Sequence, residues 1–244
     1  MRRFALLVAL GLVTMVGPAK ADEKEAKAIV ERAIAAHGGA EALTKARKCK
    51  RTDKGKQTLL DKEEPFVSQV TLELPDKVRL QIEMGKILKT TLVLDGETGW
   101  QADNGGPAVK MLARRTGEVR EEAFLWYITT LVHLLGREFT LSTLAESKVG
   151  TEAVVGVKVE RKGHADSKLY FNKRNGILLR AERRVSEAGL EVDKEYLYEG
   201  HKGFGGAMLP TKETIKVNKR KWTETTIGDY TFPAKFDATT FAKP

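Results

Sequence analysis

The chain has 244 residues, of which 41% are hydrophobic and 31% are charged. This composition is typical of a globular protein and excludes a disordered or collagen-like chain. The single cysteine, Cys49, excludes an intramolecular disulfide and a cysteine-based metal cluster. The four histidines are far apart in the sequence, so no metal site is predicted, and the net charge of +9 makes the chain basic.

The N-terminal residues have the pattern of a secretory signal peptide. Two arginines precede an apolar run over residues 4–16, and an Ala-Lys-Ala sequence ends at Ala21. The apolar run is shorter than the ~20 residues that a membrane-spanning helix needs. We therefore predict a signal peptide over residues 1–21 and cleavage between Ala21 and Asp22. The product would be an exported, periplasmic protein that is soluble after cleavage and has a net charge of +6.

A helix is predicted at the start of the mature chain. Asp22 and Glu25 form a capping-box pattern, and apolar residues follow at helical spacing. The apolar stripe consists of Ala26, Ile29, Val30, Ala33 and Ile34. The His-Gly-Gly sequence at residues 37–39 ends this helix, because glycine adopts the left-handed conformation at a helix C-terminus. Residues 40–48 then form a second short helix.

From about residue 50 onward, apolar residues alternate with polar ones, which is the period of a β-strand. The clearest example is residues 78–84, where Val, Leu, Ile and Met alternate with Arg, Gln and Glu. Asp95-Gly96 and Asn175-Gly176 are β-hairpin sequences. About ten strands joined by short turns predict an antiparallel sheet, in which each strand has one apolar and one charged face.

One helical segment interrupts the strands. Residues 117–135 follow Thr116, a candidate N-cap, and their second half is apolar nearly all round, so this helix is predicted to lie in a core. Large open sheets curl because the strand twist accumulates. The predicted fold class is therefore mainly β (α+β), with residues 22–244 forming a single domain. This domain is a highly curved antiparallel sheet, or incomplete β-barrel, with an N-terminal helix and a buried helix on its concave face.

This order of elements resembles the periplasmic lipoprotein-carrier (LolA/LolB-like) superfamily, as a divergent member. The resemblance rests on IAAHGGAEAL (34–43), LDGETGW (94–100), YFNKRNG (170–176), IGDYTF (227–232) and FDATTF (236–241). It covers nearly all of the mature chain. It implies an incomplete β-barrel whose concave apolar face, covered by helices, holds acyl chains.

The candidate ligand-binding residues are the inward-facing residues of the strands and of the buried helix. They are Val70, Leu72, Leu80, Ile82, Leu92, Leu94, Trp100, Phe124, Trp126, Leu131, Leu135, Val155, Val157 and Leu179. A hollow interior would bind an acyl chain with about 0.8 kcal/mol per buried CH₂. The alternative is that the same residues fill a closed core, since small barrels are often packed solid with side chains.

Charged residues form two further groups. Glu191, Asp193 and Glu195 share one strand face and are interpreted as a solvated exterior. A basic group could contact the anionic head groups of a membrane surface or form a solvated exterior, and the second interpretation is favoured. It consists of Arg180, Arg183, Arg184, Lys216, Lys219, Arg220 and Lys221.

The sequence contains no nucleophile elbow, no H-E-x-x-H motif and no phosphate-binding glycine motif, so neither catalysis nor a cofactor is predicted. Cys49 is interpreted as an inert or partly buried thiol. The function predicted is that of a non-enzymatic, monomeric carrier or binding protein for lipid or for the acyl chain of a lipoprotein, with no nucleic-acid partner. The alternative is a ligand-free envelope domain of the same fold, with a structural role or a protein partner.

Overall fold

A computed structural model describes residues 18–244 of the chain, with side chains from Asp22 onward. Most of the predicted signal peptide, residues 1–17, lies outside the described residues. Cleavage after Ala21 therefore stays a prediction.

Three α-helices and one short 3₁₀ helix lie among the described residues. They are α1 Pro18–Ala36, α2 Gly39–Ala46, α3 Ala113–Ile128 and the 3₁₀ helix Val132–Leu135. The helix α1 ends and the helix α2 begins where the sequence predicts, because Gly38 between them has a φ of 98°. A side chain at Gly38 would also collide with the backbone oxygen of Gly206, so this position requires glycine.

The helix α3 differs from the prediction of one helix over residues 117–135. It starts four residues earlier and ends at Ile128, and the chain then turns at Leu131, which has a φ of 66°. The backbone N–H and the hydroxyl group of Thr130 both donate hydrogen bonds to the backbone oxygen of Tyr127, at 3.1 Å and 2.7 Å, and these bonds cap this helix end. The apolar residues continue through the turn, so the hydrophobic pattern alone could not locate the end of the helix.

Fifteen strands lie among the described residues, against about ten predicted. They are β1 Lys48–Leu59, β2 Lys62–Glu73, β3 Lys77–Met84, β4 Leu88–Asp95, β5 Thr98–Asp103, β6 Val109–Lys110, β7 Thr140–Val149, β8 Glu152–Glu160, β9 Ser167–Asn172, β10 Leu178–Glu187, β11 Leu190–Glu199, β12 Lys202–Phe204, β13 Ala207–Leu209, β14 Lys212–Val217 and β15 Arg220–Thr226. Thirteen of them form one curved, open, antiparallel sheet, and β12 and β13 form a separate hairpin. The predicted fold class is confirmed.

The strand order in the sheet is β6-β5-β4-β3-β2-β1-β15-β14-β11-β10-β9-β8-β7. Two meanders, β1 to β6 and β7 to β11, are therefore joined in the middle of the sheet by β14 and β15. The edge strands are β6 and β7, which are consecutive in the chain. The segment between them contains α3, which lies against the concave face. Because this segment runs from one edge of the sheet to the other, α3 lies over the interior.

The main core lies between the helices and the concave face. Its largest fully buried side chains include Leu43 of α2, Leu125 of α3, and Leu94 and Leu169 of the sheet. The stripe predicted for α1 is buried in the same core, as residues 26, 30 and 33 show. Within residues 18–244, no helix combines the length and the apolarity that crossing a membrane requires.

The C-terminal residues cover part of the convex face of the sheet. Phe236 and Phe241 pack with Val93 and the half-buried Trp100 in a cluster separate from the main core. The Nζ atom of Lys243 lies 4.9 Å from the centroid of the Trp100 ring. This cluster fixes the C-terminal segment to the outside of β4 and β5.

Candidate functional site

A cavity of about 240 Å³ lies between α3 and the concave face of the sheet. Its lining comes from eight neighbouring strands, β4 through β1 and then β15, β14, β11 and β10. The wall on β2 to β4 is mainly apolar, and it consists of Phe66, Ser68, Val70, Val78, Leu80, Ile82 and Leu92. Val119 and Trp126 of α3 face this wall. An apolar chain can therefore lie between the helix and the sheet.

The central strand β1 brings charged side chains to the same cavity. Arg51 Nε donates a hydrogen bond to Asp53 Oδ2 at 2.9 Å, and Arg51 Nη1 donates to the hydroxyl oxygen of Tyr230 at 3.3 Å. Burial raises the pKa of Asp53, and the charge of Arg51 opposes this rise. The two residues form an ion pair in the interior.

Glu213 of β14 is a further carboxyl group in the cavity lining. In strand register it lies opposite Tyr198 of β11 and Thr225 of β15. Burial raises the pKa of Glu213 to about 7, and the charge of Arg51 limits this rise. Among the described residues, no side chain donates a hydrogen bond to Glu213 or forms an ion pair with it.

Lys194 of β11 forms a second group of buried charges. Its Nζ atom lies 2.8 Å from Glu122 Oε1 and 3.0 Å from Glu187 Oε2. The hydroxyl group of Tyr196 also donates a hydrogen bond to Glu122 Oε1 at 2.8 Å. Burial opposes the charge of Lys194, but the two carboxylates raise its pKa overall. These contacts fix α3 to the sheet at one end of the cavity.

Arg183 of β10 fixes the same helix at a second point. It forms an ion pair with Glu121, and its Nη1 atom donates to the backbone oxygen of Glu121 at 2.5 Å. His164 Nδ1 lies 2.9 Å from the same carboxylate. The interpretation of Arg183 as part of a basic exterior is therefore wrong, because the strand register of β10 points this side chain inward.

The other members of the predicted basic group lie outside the core. Several of them form ion pairs with carboxylates of the exterior, namely Arg180, Arg184, Lys216 and Lys221. Glu191, Asp193 and Glu195 supply three of the partners. This pairing is typical of a solvated sheet exterior.

A smaller cavity of about 80 Å³ lies beyond the first one. Arg51, Trp126 and Glu213 line both cavities, so the two spaces adjoin at these residues. Cys49 also lines the smaller cavity, and burial raises the pKa of its thiol to about 11. The thiol therefore remains protonated at neutral pH, which agrees with the interpretation of Cys49 as inert.

The structure places six of the predicted ligand-binding residues on the two cavities. Val70, Leu80, Ile82, Leu92 and Trp126 line the larger cavity, and Leu72 lines the smaller one. That these residues contact a ligand stays a prediction.

Five other predicted residues belong to the filled part of the core. They are Leu94, Phe124, Leu131, Val155 and Val157. Phe124, for example, stacks on the ring of His164 with the centroids 3.7 Å apart. One part of the interior is therefore a cavity, and another part is a closed core.

Three predicted residues lie away from both cavities and from the main core cluster. Trp100 packs on the convex face with the C-terminal segment. Leu135 is 37% exposed, because the helix ends before it and the 3₁₀ helix turns it outward. Leu179 is half-buried, since a bulge in β10 puts Leu178 and Ala181 on the core face instead.

The polar residues of the cavity were not predicted. Cys49, Arg51 and Asp53 alternate inward on β1, but Lys50 and Thr52 on the outer face are also polar. No apolar period marked this strand. The available signal was the polar character of both faces, which is unusual for a strand at the centre of a sheet.

No protein-family model matches the chain, and no curated protein matches its sequence. Solved structures do match its fold. A LolA superfamily protein from Nitrosomonas europaea has a TM-score of 0.62 and 14% identity, over 89% of this chain and 97% of that one. A putative outer membrane lipoprotein-sorting protein domain from Vibrio parahaemolyticus has a TM-score of 0.60 and 12% identity, over 91% of this chain and 97% of that one.

A third match is a DUF1329 family protein from Desulfovibrio piger, with a TM-score of 0.57 and 11% identity, over 88% of this chain and 96% of that one. Identities this low carry information on the fold alone. The resemblance predicted from the sequence is confirmed at this level: the chain has a LolA-like fold.

Proposed function

We propose that this protein is an exported, periplasmic carrier or binding protein for lipid, which holds an acyl chain between α3 and the sheet. The observation that carries this proposal is the cavity of about 240 Å³ with its apolar wall on β2 to β4. Burial of an acyl chain there contributes about 0.8 kcal/mol per CH₂. Pockets for drug-sized ligands measure about 300–1,000 Å³, so this cavity suits a single chain.

The comparisons add support for the class of ligand. A domain of similar fold is named a putative outer membrane lipoprotein-sorting protein domain, so the acyl chain of a lipoprotein is one candidate ligand. The predicted signal peptide would bring the protein to a compartment where such ligands occur. We further propose that the protein acts as a monomer without catalysis. The exposed Lys219 in the β14–β15 turn and the exposed Arg220 at the start of β15 offer a contact with an anionic membrane surface.

A pair of variants at Ser68 tests the proposal. This small, buried residue of β2 lines the larger cavity. Ser68→Phe places a ring in the space that the acyl chain would occupy, whereas Ser68→Ala leaves that space open. Native mass spectrometry of protein purified from the cell envelope without detergent measures retained lipid. Fluorescence of N-phenyl-1-naphthylamine, an uncharged lipophilic probe, measures binding of added ligand.

We expect the wild-type protein and Ser68→Ala to retain lipid and bind the probe, and Ser68→Phe to do neither while it remains folded by circular dichroism. A wild-type protein that retains no lipid and binds no probe would refute the carrier proposal. That outcome would favour the ligand-free envelope domain of the same fold.

A further inference from the structure

The charges that line the larger cavity do not balance. Six carboxyl groups and three cationic side chains line it. Each cation is held by a carboxylate, in the pairs Arg51–Asp53 at 2.9 Å, Lys194–Glu122 at 2.8 Å and Arg115–Glu118 at 3.0 Å. Glu187 shares Lys194, and Glu121 pairs with Arg183. Among the described residues, Glu213 forms no ion pair at contact distance, although the charge of Arg51 acts on it.

Buried hydroxyl groups without partners lie in the same interior. Tyr198 is 6% exposed, and Thr223 is 7% exposed. Neither hydroxyl oxygen has a hydrogen-bond partner among the described residues, although burial without one is costly. Tyr198 lines the smaller cavity beside Glu213, and Thr223 lines the larger one. The ring of Trp126 lines both cavities. A carboxyl group, free hydroxyl oxygens and an aromatic ring are the groups that recognise an ammonium ion.

We propose that the cavity takes an amphiphile with a cationic, ammonium-type head, which binds at Glu213 and Tyr198 while the apolar chain lies along β2 to β4. This inference rests on the proposed function and names the class of ligand. An ammonium group donates hydrogen bonds to the carboxylate of Glu213 and to the hydroxyl oxygen of Tyr198. It also supplies the missing positive charge.

An anionic head is a poorer match to the same groups. Arg51, the cation nearest this position in the lining, already donates to Asp53 and Tyr230. A carboxylate ligand would also face the carboxyl group of Glu213, and like charges in a low-dielectric site repel each other. The surplus of carboxyl groups in the lining therefore favours a cationic head group over an anionic one.

The binding of a cation should depend on pH through Glu213. The charged or titratable groups that act on it are Arg51 and Asp53 of β1, Glu122 of α3, Tyr198 of β11 and the C-terminal Tyr230. Burial raises the pKa of Glu213 to about 7, so this carboxyl group is mainly protonated below that pH. An ammonium ligand binds the ionised form, so the carboxyl group must release its proton when the ligand binds at lower pH.

Displacement of N-phenyl-1-naphthylamine by three amphiphiles of equal chain length tests the inference. Dodecylamine carries a cation, laurate carries an anion and 1-dodecanol is uncharged. We expect dodecylamine to displace the probe at least about tenfold more tightly than the other two, which equals about 1.4 kcal/mol. Its affinity should fall about tenfold from pH 8 to pH 6. Glu213→Gln should lose both effects, and Glu199→Gln, which changes an exposed carboxylate of β11, should retain them.

The outcomes separate this inference from the proposed function. Probe binding with equal affinity for the three amphiphiles, or with preference for laurate, would overturn the cationic head but leave the carrier proposal standing. Selectivity that persists in Glu213→Gln would overturn the role of this residue. Failure of the wild-type protein to bind the probe or any of the amphiphiles would overturn both proposals.

Discussion

Replacement of Glu213 by glutamine should change how the stability of this protein depends on pH. The folded protein raises the pKa of this carboxyl group from an ordinary value of 4.5 to about 7. At about 1.4 kcal/mol per pKa unit, ionisation in the folded state costs on the order of 3 kcal/mol. The folded state holds the proton more tightly than the unfolded state. Stability is therefore lost as the pH rises from 4.5 to about 7, and the loss is complete above that value.

Urea unfolding at about pH 5 and pH 8 measures this effect. Glutamine has nearly the shape of a protonated glutamate and cannot ionise. We therefore expect Glu213→Gln to gain on the order of 2–3 kcal/mol over the wild-type protein when the pH changes from 5 to 8. Glu199→Gln provides the matched control, and its stability should follow that of the wild type. Parallel pH profiles for Glu213→Gln and the wild type would refute the reasoning, because Glu213 would then titrate normally.

Three further predictions concern packing and reactivity. Leu94→Ala, in the filled core, should lower the free energy of unfolding by about 2–5 kcal/mol. Leu80→Ala, on the cavity wall, should lower it by at most about 1.5–3 kcal/mol and should also weaken probe binding. Equal losses for the two variants in urea titrations would argue against a preformed cavity. Arg183→Ala should cost about 1–3 kcal/mol because the half-buried carboxylate of Glu121 would lose its guanidinium partner and keep only His164 and the Ala165 N–H. Adding Glu121→Ala should recover part of that loss in a double-mutant cycle, whereas additive losses would mean that the two residues do not interact. Cys49 should resist iodoacetamide at pH 8 in the native protein and react in urea, because the thiol is buried and protonated; rapid labelling of the native protein would contradict its burial.

The sequence predicted the architecture well because most strands carry a regular alternation. Leu80, Ile82 and Leu92 lie on the cavity wall as their period predicts. The middle of α3 was located correctly but neither end was: the helix starts at Ala113 and not after Thr116, and the apolar residues continue past its end at Ile128. Leu179 was misplaced for a related reason: a single bulge in β10 shifts the alternation by one residue, and no sequence pattern marked it.

The polar part of the site could not be predicted, because it consists of residues that are distant in the chain and come together only in the folded protein. Arg51, Glu122 and Glu213 come from β1, α3 and β14, and each of them alone is an ordinary charged residue of its element. Only the strand order brings them to one interior. For Trp100 the missing information was similar, since the C-terminal segment that covers it lies more than 130 residues away.

The pairing of β1 with β15 determines when the interior can form during folding. The paired residues, 54–57 with 223–226, are roughly 170 positions apart, whereas the strands within each meander pair with near neighbours. Contacts between distant residues carry a large loop-closure cost, so they form late and slow the folding of the whole domain. Arg51 and Asp53 lie on one side of this junction and Glu213 on the other. A chain in which β15 has not yet paired with β1 therefore lacks the junction that joins the two parts of the cavity lining.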